Sequence, residues 1–281
     1  MIVVPGNSGC TVEILEKDGA HKVKKSTFNK KYLKRLELQA RKQKEYRIHL
    51  DSIDNLFTPI VYDEDLSPSS FSFLMEYVKY LDCITFLSNS GKREVDYFLS
   101  KVLELIRFQI SNCKDQDVIE DFKSKYKDTI SGIVSQGMFN KSEIDRIDRK
   151  IYSSDTMVVP VGMCHGDLTF SNILVSRDSK SICLIDFLDN FVETPLQDMS
   201  KIRQDTKFLW TSNIFPGSID RIRNGIVMNY LDEEFNREFL KYEFYRKEYN
   251  RFQILNILRI FRYTSDIETL KYLKKCILSM V

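Results

Sequence analysis

At 281 residues, 43% apolar and 29% charged, the chain has the composition of a folded globular protein with room for a sizeable core, and nothing in it reads as disordered. No apolar run approaches the ~18–20 residues that span a bilayer, Met1–Cys10 lacks the pattern of an export signal, and the net charge of +2 points to no particular partner. Six cysteines without CxxC or Cys/His spacing argue against a zinc site or a disulfide framework and read as reduced core residues of a cytoplasmic protein.

In chain order, Ile2–Val4, Cys10–Leu15 and Ala20–Ser26 read as three antiparallel strands, joined by the turn Pro5–Gly9 and the hairpin turn Glu16–Gly19. In the first turn Gly6 and Gly9 flank Asn7 and Ser8, and such a backbone can approach an anion closely. Phe28–His49 is a basic helix candidate with Tyr32, Leu33, Leu36, Ala40 and Gln43 near helical spacing. Its Lys/Arg face reads as solvated surface, and without interleaved aromatics no nucleic-acid binding is expected. Asn55–Tyr62 and Phe71–Val78 are further strands around a polar turn, Asp63–Ser70, and Lys79–Ser90 is a crossover. Lys92–Ser154 has helical spacing throughout, its third helix opening at the capping sequence Asn140-Lys141-Ser142-Glu143.

The chemistry is concentrated in Cys164–Asp189. A polar loop, His165–Asn172, leads into the apolar run Ile173–Val175, a turn Ser176–Lys180 and a second apolar run Ile182–Ile185. A hairpin of this kind brings Asn172, just before its first strand, close to Asp186, just after its second. An amide oxygen and a carboxylate are hard ligands suited to Mg²⁺, which keeps waters and substrate phosphate oxygens in the rest of its octahedron. Asp167, on the same loop, is placed to accept a hydrogen bond from a substrate hydroxyl, which together makes a phosphoryl-transfer layout. An HGD or IDF tripeptide alone is weak evidence; their joint occurrence in register is specific.

The spacing Asp167-x-x-x-x-Asn172, with Asp186 fourteen residues further on, resembles the catalytic core of protein-kinase-like enzymes. The variant His165-Gly166-Asp167 is similar to the small-molecule branch, the aminoglycoside phosphotransferases and choline kinases. Leu188 stands where protein kinases have the glycine of their metal motif, and no activation-segment signature follows. Looser likenesses in Ile185–Asp189, Pro195–Asp198 and Lys201–Asp205 resemble kinase-like proteins encoded with bacterial surface-polysaccharide genes.

The resemblance implies an α+β, bilobal protein-kinase-like fold: an N-lobe over 1–78 with a small antiparallel sheet, a hinge over 79–90, and a mainly helical C-lobe over 91–281. It implies ATP and Mg²⁺ between the lobes, with Asp167 catalytic, Asn172 and Asp186 on the metal, and the Gly6-Asn7-Ser8-Gly9 turn covering phosphates. The third strand carries a phosphate lysine in the family; Val23-x-Lys25 and Ala20-x-Lys22 both fit the alternation, and Lys25 is preferred because it buries Val23. Its glutamate partner is expected at Glu37, then Glu45, since Gln39 would preserve only a hydrogen bond. Main-chain groups at Glu76 and Tyr77 are expected to read adenine. Asp198 is expected to brace the catalytic loop, cap its helix, or both. His165 is expected to hold the loop by hydrogen bonds rather than act as a base.

The expected activity is transfer of the γ-phosphoryl group of ATP to a hydroxyl of a polar small molecule. From Gln197 to Val281 there are 15 lysines and arginines against 11 aspartates and glutamates, which favours a neutral or anionic sugar or glycan precursor over a polycationic aminoglycoside; a choline or amino-alcohol kinase and an aminoglycoside kinase are the alternatives. Trp210, Tyr242, Tyr245 and Tyr249 are candidates to stack on such an acceptor. A protein kinase and a silent nucleotide-binding scaffold are the other classes, the latter opposed by the presence of Asp167, Asn172 and Asp186 together.

Overall fold

The computed structural model of the protein describes residues 2–4, 10–17, 19–134, 137–261 and 264–281. Strands β1 (Ile2–Val4), β2 (Thr11–Lys17) and β3 (Ala20–Thr27) precede α1 (Lys30–Leu50), β4 (Leu56–Phe57), β5 (Val61–Leu66), β6 (Phe71–Glu76), β7 (Leu81–Asp82), α2 (Cys83–Asn89) and α3 (Lys92–Ser111). After these come β8 (Lys114–Asp117), α4 (Ile119–Val134), α5 (Lys141–Ile151), β9 (Val158–Val161) and the hairpin β10 (Ile173–Val175) and β11 (Ile182–Leu184). The chain ends in α6 (Pro195–Thr206), α7 (Trp210–Ile214), α8 (Arg221–Phe239), α9 (Glu243–Phe261) and α10 (Ile267–Leu278). Two compact units share these elements: 1–105, 165–189 and 215–224 form one, and 106–164, 190–214 and 225–281 the other. The hairpin after residue 172, placed by the sequence in the 91–281 lobe, thus groups with the N-terminal sheet.

In the first unit an antiparallel sheet runs in the order β1-β2-β3-β6-β5. Alternation along β6 buries Phe71, Phe73 and Met75, and α1 covers them with Leu36 and Ala40. Helix α1 is built from strong helix formers and begins at Asn29, whose side chain accepts from the Lys31 N–H at 3.1 Å. Its buried stripe is Leu36, Ala40, Gln43, Tyr46 and Leu50, at helical spacing. Strand β5 is where the turn Asp63–Ser70 was expected. It lies at the sheet edge with Tyr62–Leu66 exposed, so it shows none of the apolar alternation of a half-buried strand, and its three acidic side chains protect the edge from pairing with another chain. A second sheet, in the order β4-β11-β10-β7, carries the β10–β11 hairpin, with β11 parallel to β4 and antiparallel to β10.

The second unit is mainly helical. Its one departure from the expected run of helices is β8, whose Lys114–Asp117 are all exposed and pair with β9. The cap at Asn140 forms as expected: its side chain accepts from Glu143 N at 2.9 Å while Glu143 accepts from Asn140 N at 2.8 Å. Every residue of α6 is buried. Thr194, not Asp198, caps that helix, and Pro195 follows at its first position. Asp198 lies one turn inside and accepts from Gln109 Nε2 at 2.8 Å. The aromatics expected to stack on an acceptor divide: Tyr245 and Tyr249 are buried with their rings stacked on each other at 4.8 Å, which assigns them to the core. Tyr242 lies against Phe244 at 5.6 Å, and Trp210 opens α7 half-buried.

Phe73→Ala is expected to lower stability by about 3–5 kcal/mol, since a fully buried ring leaves a cavity under α1. Leu66→Ala on the exposed edge is expected to stay within about 0.5 kcal/mol; urea unfolding followed by circular dichroism measures both.

Candidate active site

The hairpin register fixes the site. Ile173 pairs with Leu184 and Val175 with Ile182, so Asn172 comes to lie opposite Ile185, and the Ile185 N–H donates to the Asn172 carbonyl at 3.0 Å. Asp186 is the next residue. The loop before β10 is anchored by the wholly buried Leu168 and Phe170, the latter edge-on to Phe98 at 5.5 Å. Gly166 has φ +93°, in the left-handed region that a side chain disfavours, which is the physical reason for glycine at this position.

Within the loop Asp167 and Asn172 are joined directly. Asn172 Nδ2 donates to the Asp167 carbonyl at 2.8 Å and to its Oδ2 at 3.2 Å. With the amide nitrogen so committed, Asn172 Oδ1 takes no hydrogen bond from the described residues.

His165 is fully buried. Its Nδ1 accepts from the Asp167 N–H at 3.3 Å, so the proton sits on Nε2, which donates to the Ile185 carbonyl at 3.0 Å. One imidazole thereby fastens the start of the loop to the end of β11. Phe187 packs on the ring at 4.2 Å and is itself packed by Tyr46 of α1 at 4.8 Å. Burial, partly opposed by the carboxylates of Asp167 and Asp186, pushes the His165 pKa down to about 4. The residue is a neutral structural donor, as the sequence suggested.

Asp186 has φ +63°, an uncommon conformation for a residue with a side chain, and it is held there from two elements. Lys25 Nζ of β3 lies 2.7 Å from Asp186 Oδ1. Gln39 of α1 donates from Nε2 to the same oxygen and, at 2.6 Å, to the Phe187 carbonyl, while its Oε1 accepts from Lys25 Nζ at 3.4 Å. One turn further along α1, Lys42 Nζ donates to the Leu188 carbonyl at 2.7 Å. The Asp186 side chain keeps 44% of its surface, and Oδ2 accepts nothing from the described residues. Burial acts to raise the Asp186 pKa, but the Lys25 ammonium and the Gln39 amide outweigh it and hold the carboxyl below the ordinary carboxylate range.

The strand lysine at this carboxylate is Lys25, buried on the same face as Val23, whereas Lys22 reaches over the Tyr62 ring at 4.9 Å. Glu37 is not its partner: it lies 3.5 Å from Lys34 on the surface of α1, and Glu45 pairs loosely with Arg41. Gln39 occupies that place, and Lys42 adds a contact that the basic composition of α1 concealed. At the expected hinge, the Glu76 N–H is engaged, donating to the Ile60 carbonyl at 2.8 Å, while the Glu76 carboxylate accepts from the Ile60 N–H at 3.2 Å. The Tyr77 ring lies beside His21. Gly6, Asn7, Ser8 and Gly9 lie outside the described residues. A cavity of about 500 Å³ bounded by Lys271, Lys274, Lys275, Leu278 and Ser279 on α10 shares none of these groups.

No protein-family model and no curated protein matches the chain. Among solved structures it is similar to a thermostable mutant of the aminoglycoside phosphotransferase APH(4)-Ia in ternary complex with AMP-PNP and hygromycin B, at 12% identity and TM-score 0.64 over 99% of this chain and 92% of that one. The chain has the protein-kinase-like fold of the aminoglycoside phosphotransferases. It is also similar to APH(3'')-Id from Streptomyces rimosus in complex with ADP and streptomycin (15% identity, TM-score 0.53, 90% and 94% covered) and to macrolide 2'-phosphotransferase type I (13%, 0.52, 98% and 90%). At these identities the likeness establishes the fold, and the chemistry rests on the side chains just described.

Because His165 is buried neutral, the unfolded chain binds its proton near pH 6.5 and the folded one only near pH 4. Stability from this group is present in full above about pH 6.5 and falls by about 3 kcal/mol as pH drops through that window. Urea unfolding at pH 7, 5.5 and 4.5 is expected to show this loss, and His165→Gln to be less stable at pH 7 but flatter across the window.

Proposed function

We propose that the protein is an ATP-dependent small-molecule kinase that transfers the γ-phosphoryl group to a hydroxyl of a sugar or sugar-containing glycan precursor. The observation that carries the reading is the joining of Asp167 and Asn172 beside an Asp186 that is held from β3 and α1 yet keeps an open oxygen.

The donor set fits Mg²⁺. Asn172 Oδ1 and Asp186 Oδ2 are hard oxygens without partners among the described residues, and no cluster of three or more His, Cys, Asp or Glu suited to a metal occurs among those residues. Two protein ligands suit a cation that keeps waters and phosphate oxygens. Bound there, Mg²⁺ supplies positive charge to the phosphate oxygens. Lys25, buried and close to Asp186, supplies a second positive charge for the nucleotide phosphates. Asp167 orients the acceptor hydroxyl and takes its proton; the Asn172 amide fixes that carboxylate, and neutral His165 fixes the loop without adding charge beside it. Catalysis then comes mainly from alignment and electrostatic stabilisation of a loose transition state.

Two observations bear on the acceptor. Only residues 190–194 separate Asp189 from α6, and in the second unit that stretch is tied down: the Gly162 N–H donates to the Glu193 carbonyl at 2.8 Å, and the Glu193 carboxylate accepts from Asn190 N at 2.8 Å and Cys164 Sγ at 2.9 Å. A long activation segment of the protein-kinase type has no place there. The cationic excess after residue 197 also survives burial among the described residues, since the buried cations Lys201, Arg203 and Arg251 are equalled in number by the buried anions Asp198, Asp205 and Glu248, and this favours an acceptor that is not a polycation.

Mg²⁺-dependent transfer from ATP, and separately GTP, to a panel of sugars, amino alcohols, aminoglycosides and a generic protein tests the proposal. Transfer to a sugar hydroxyl that falls by about 10²–10⁴-fold in Asp167→Asn is the expected result. Wild-type protein that binds no Mg-nucleotide overturns it.

A further inference from the structure

The amide at position 39 stands where the resemblance calls for a carboxylate, and its hydrogen bonds show that the difference matters. Gln39 Nε2 faces two acceptors, Asp186 Oδ1 and the Phe187 carbonyl, while Oε1 faces the Lys25 ammonium. No other orientation of the amide satisfies all three. A carboxylate of the same shape would offer Lys25 an oxygen but would put unpaired lone pairs against Asp186 Oδ1 and the Phe187 carbonyl.

Lys25 and Gln39 therefore share one oxygen of Asp186. In the proposed reaction Lys25 is the group with a second task, because an ammonium beside a nucleotide is drawn to its phosphates. When it turns away, Gln39 is left as the donor on Oδ1, reinforced by its bond to the next residue's carbonyl and by the Lys42 bond to Leu188. Asp186 needs this hold because its φ of +63° is uncommon for a residue with a side chain. We infer that Gln39 is a positioning residue that, as a donor, keeps Asp186 Oδ2 presented to the divalent cation independently of Lys25. Specifying a donor here separates the two roles that one glutamate could not fill in this geometry: partner of the lysine, and anchor of the metal carboxylate.

This inference rests on the nucleotide-and-metal reading above. Its test is calorimetric titration of ADP into wild type, Gln39→Glu and Gln39→Leu, with and without Mg²⁺, alongside Mn²⁺ binding to nucleotide-free protein followed by electron paramagnetic resonance. Outer residues that orient a metal ligand typically contribute about 10–100-fold in metal affinity. Both variants are expected to lose about 10-fold or more of the Mg²⁺-dependent gain in ADP affinity while ADP binding without metal changes less than about 3-fold. The isosteric Gln39→Glu keeps the packing and a partner for Lys25, so it remains informative if Gln39→Leu fails to fold. Gln39→Glu with an undiminished Mg²⁺ gain overturns the inference and leaves the kinase reading standing. Wild type that binds neither Mg-ADP nor Mn²⁺ overturns both; wild type that binds Mn²⁺ but no ADP removes the nucleotide reading, and weaker Mn²⁺ binding in Gln39→Glu then sustains the role of Gln39.

Discussion

One ammonium and one carboxylate, 161 residues apart in the chain, meet at 2.7 Å and tie the N-terminal sheet to the hairpin that carries the candidate site. Lys25 is buried on a strand of the N-terminal sheet, and Asp186 follows the β10–β11 hairpin. Such a pair contributes little net stability, because taking the lysine out of water costs about as much as the attraction returns. Its value lies in specificity: an unpaired buried Lys25 would be costly, so the sheet and the hairpin are bound to adopt the one register in which the two charges meet. The surrounding contacts extend the same logic with further donors, two of them neutral amides. Gln39 and Lys42 reach the main chain of 187–188, and Gln43 and Arg47, one and two turns on, reach the carbonyls of Pro59 and Thr58. Helix α1 acts as a row of hydrogen-bond donors aimed at carbonyls that strands alone would leave unmatched.

What was legible in the sequence was whatever chemistry or burial wrote periodically. The hairpin, the Asp167–Asn172 spacing, the capping box at Asn140 and the alternation that sends Val23 and Lys25 to one face were each readable because a local rule fixes them. Strands β5 and β8 were not, because their side chains face water and their pairing is decided by backbone partners far along the chain. The partner of Lys25 was missed for a different reason. Helix residues advance about 100° each, so from Leu36 on the buried stripe Gln39 falls about 60° away, Glu37 about 100° and Glu45 about 180°. Weighing position on the helix above charge type would have selected the glutamine.

The aromatic residues late in the chain show the complementary limit. Composition assigns Tyr245 and Tyr249 to a ligand as readily as to a core, and only their burial against each other decides. The same holds for α6, whose sequence carries lysine, arginine, aspartate and glutamine yet is buried along its whole length. Arg203 there meets Asp232 with two N···O contacts, Nε at 2.7 Å and Nη2 at 3.1 Å, and on α9 Arg251 meets Glu248 at 2.8 Å. Charged residues in a helix predict a wet face only when no partner is waiting inside.

The discontinuity of the first unit bears on how the protein is made. Strands β4 and β7 are the outer members of a sheet whose two inner strands, β11 and β10, are encoded more than ninety residues later, so while 106–164 are being translated the outer pair has no inner strand to join. At about 5–20 residues per second that interval lasts roughly 3–12 s, far longer than a hairpin needs to form. The five-stranded sheet with α1 can be in place by then, but the site cannot close until 165–189 have been made, and it does so around a lysine already waiting on β3.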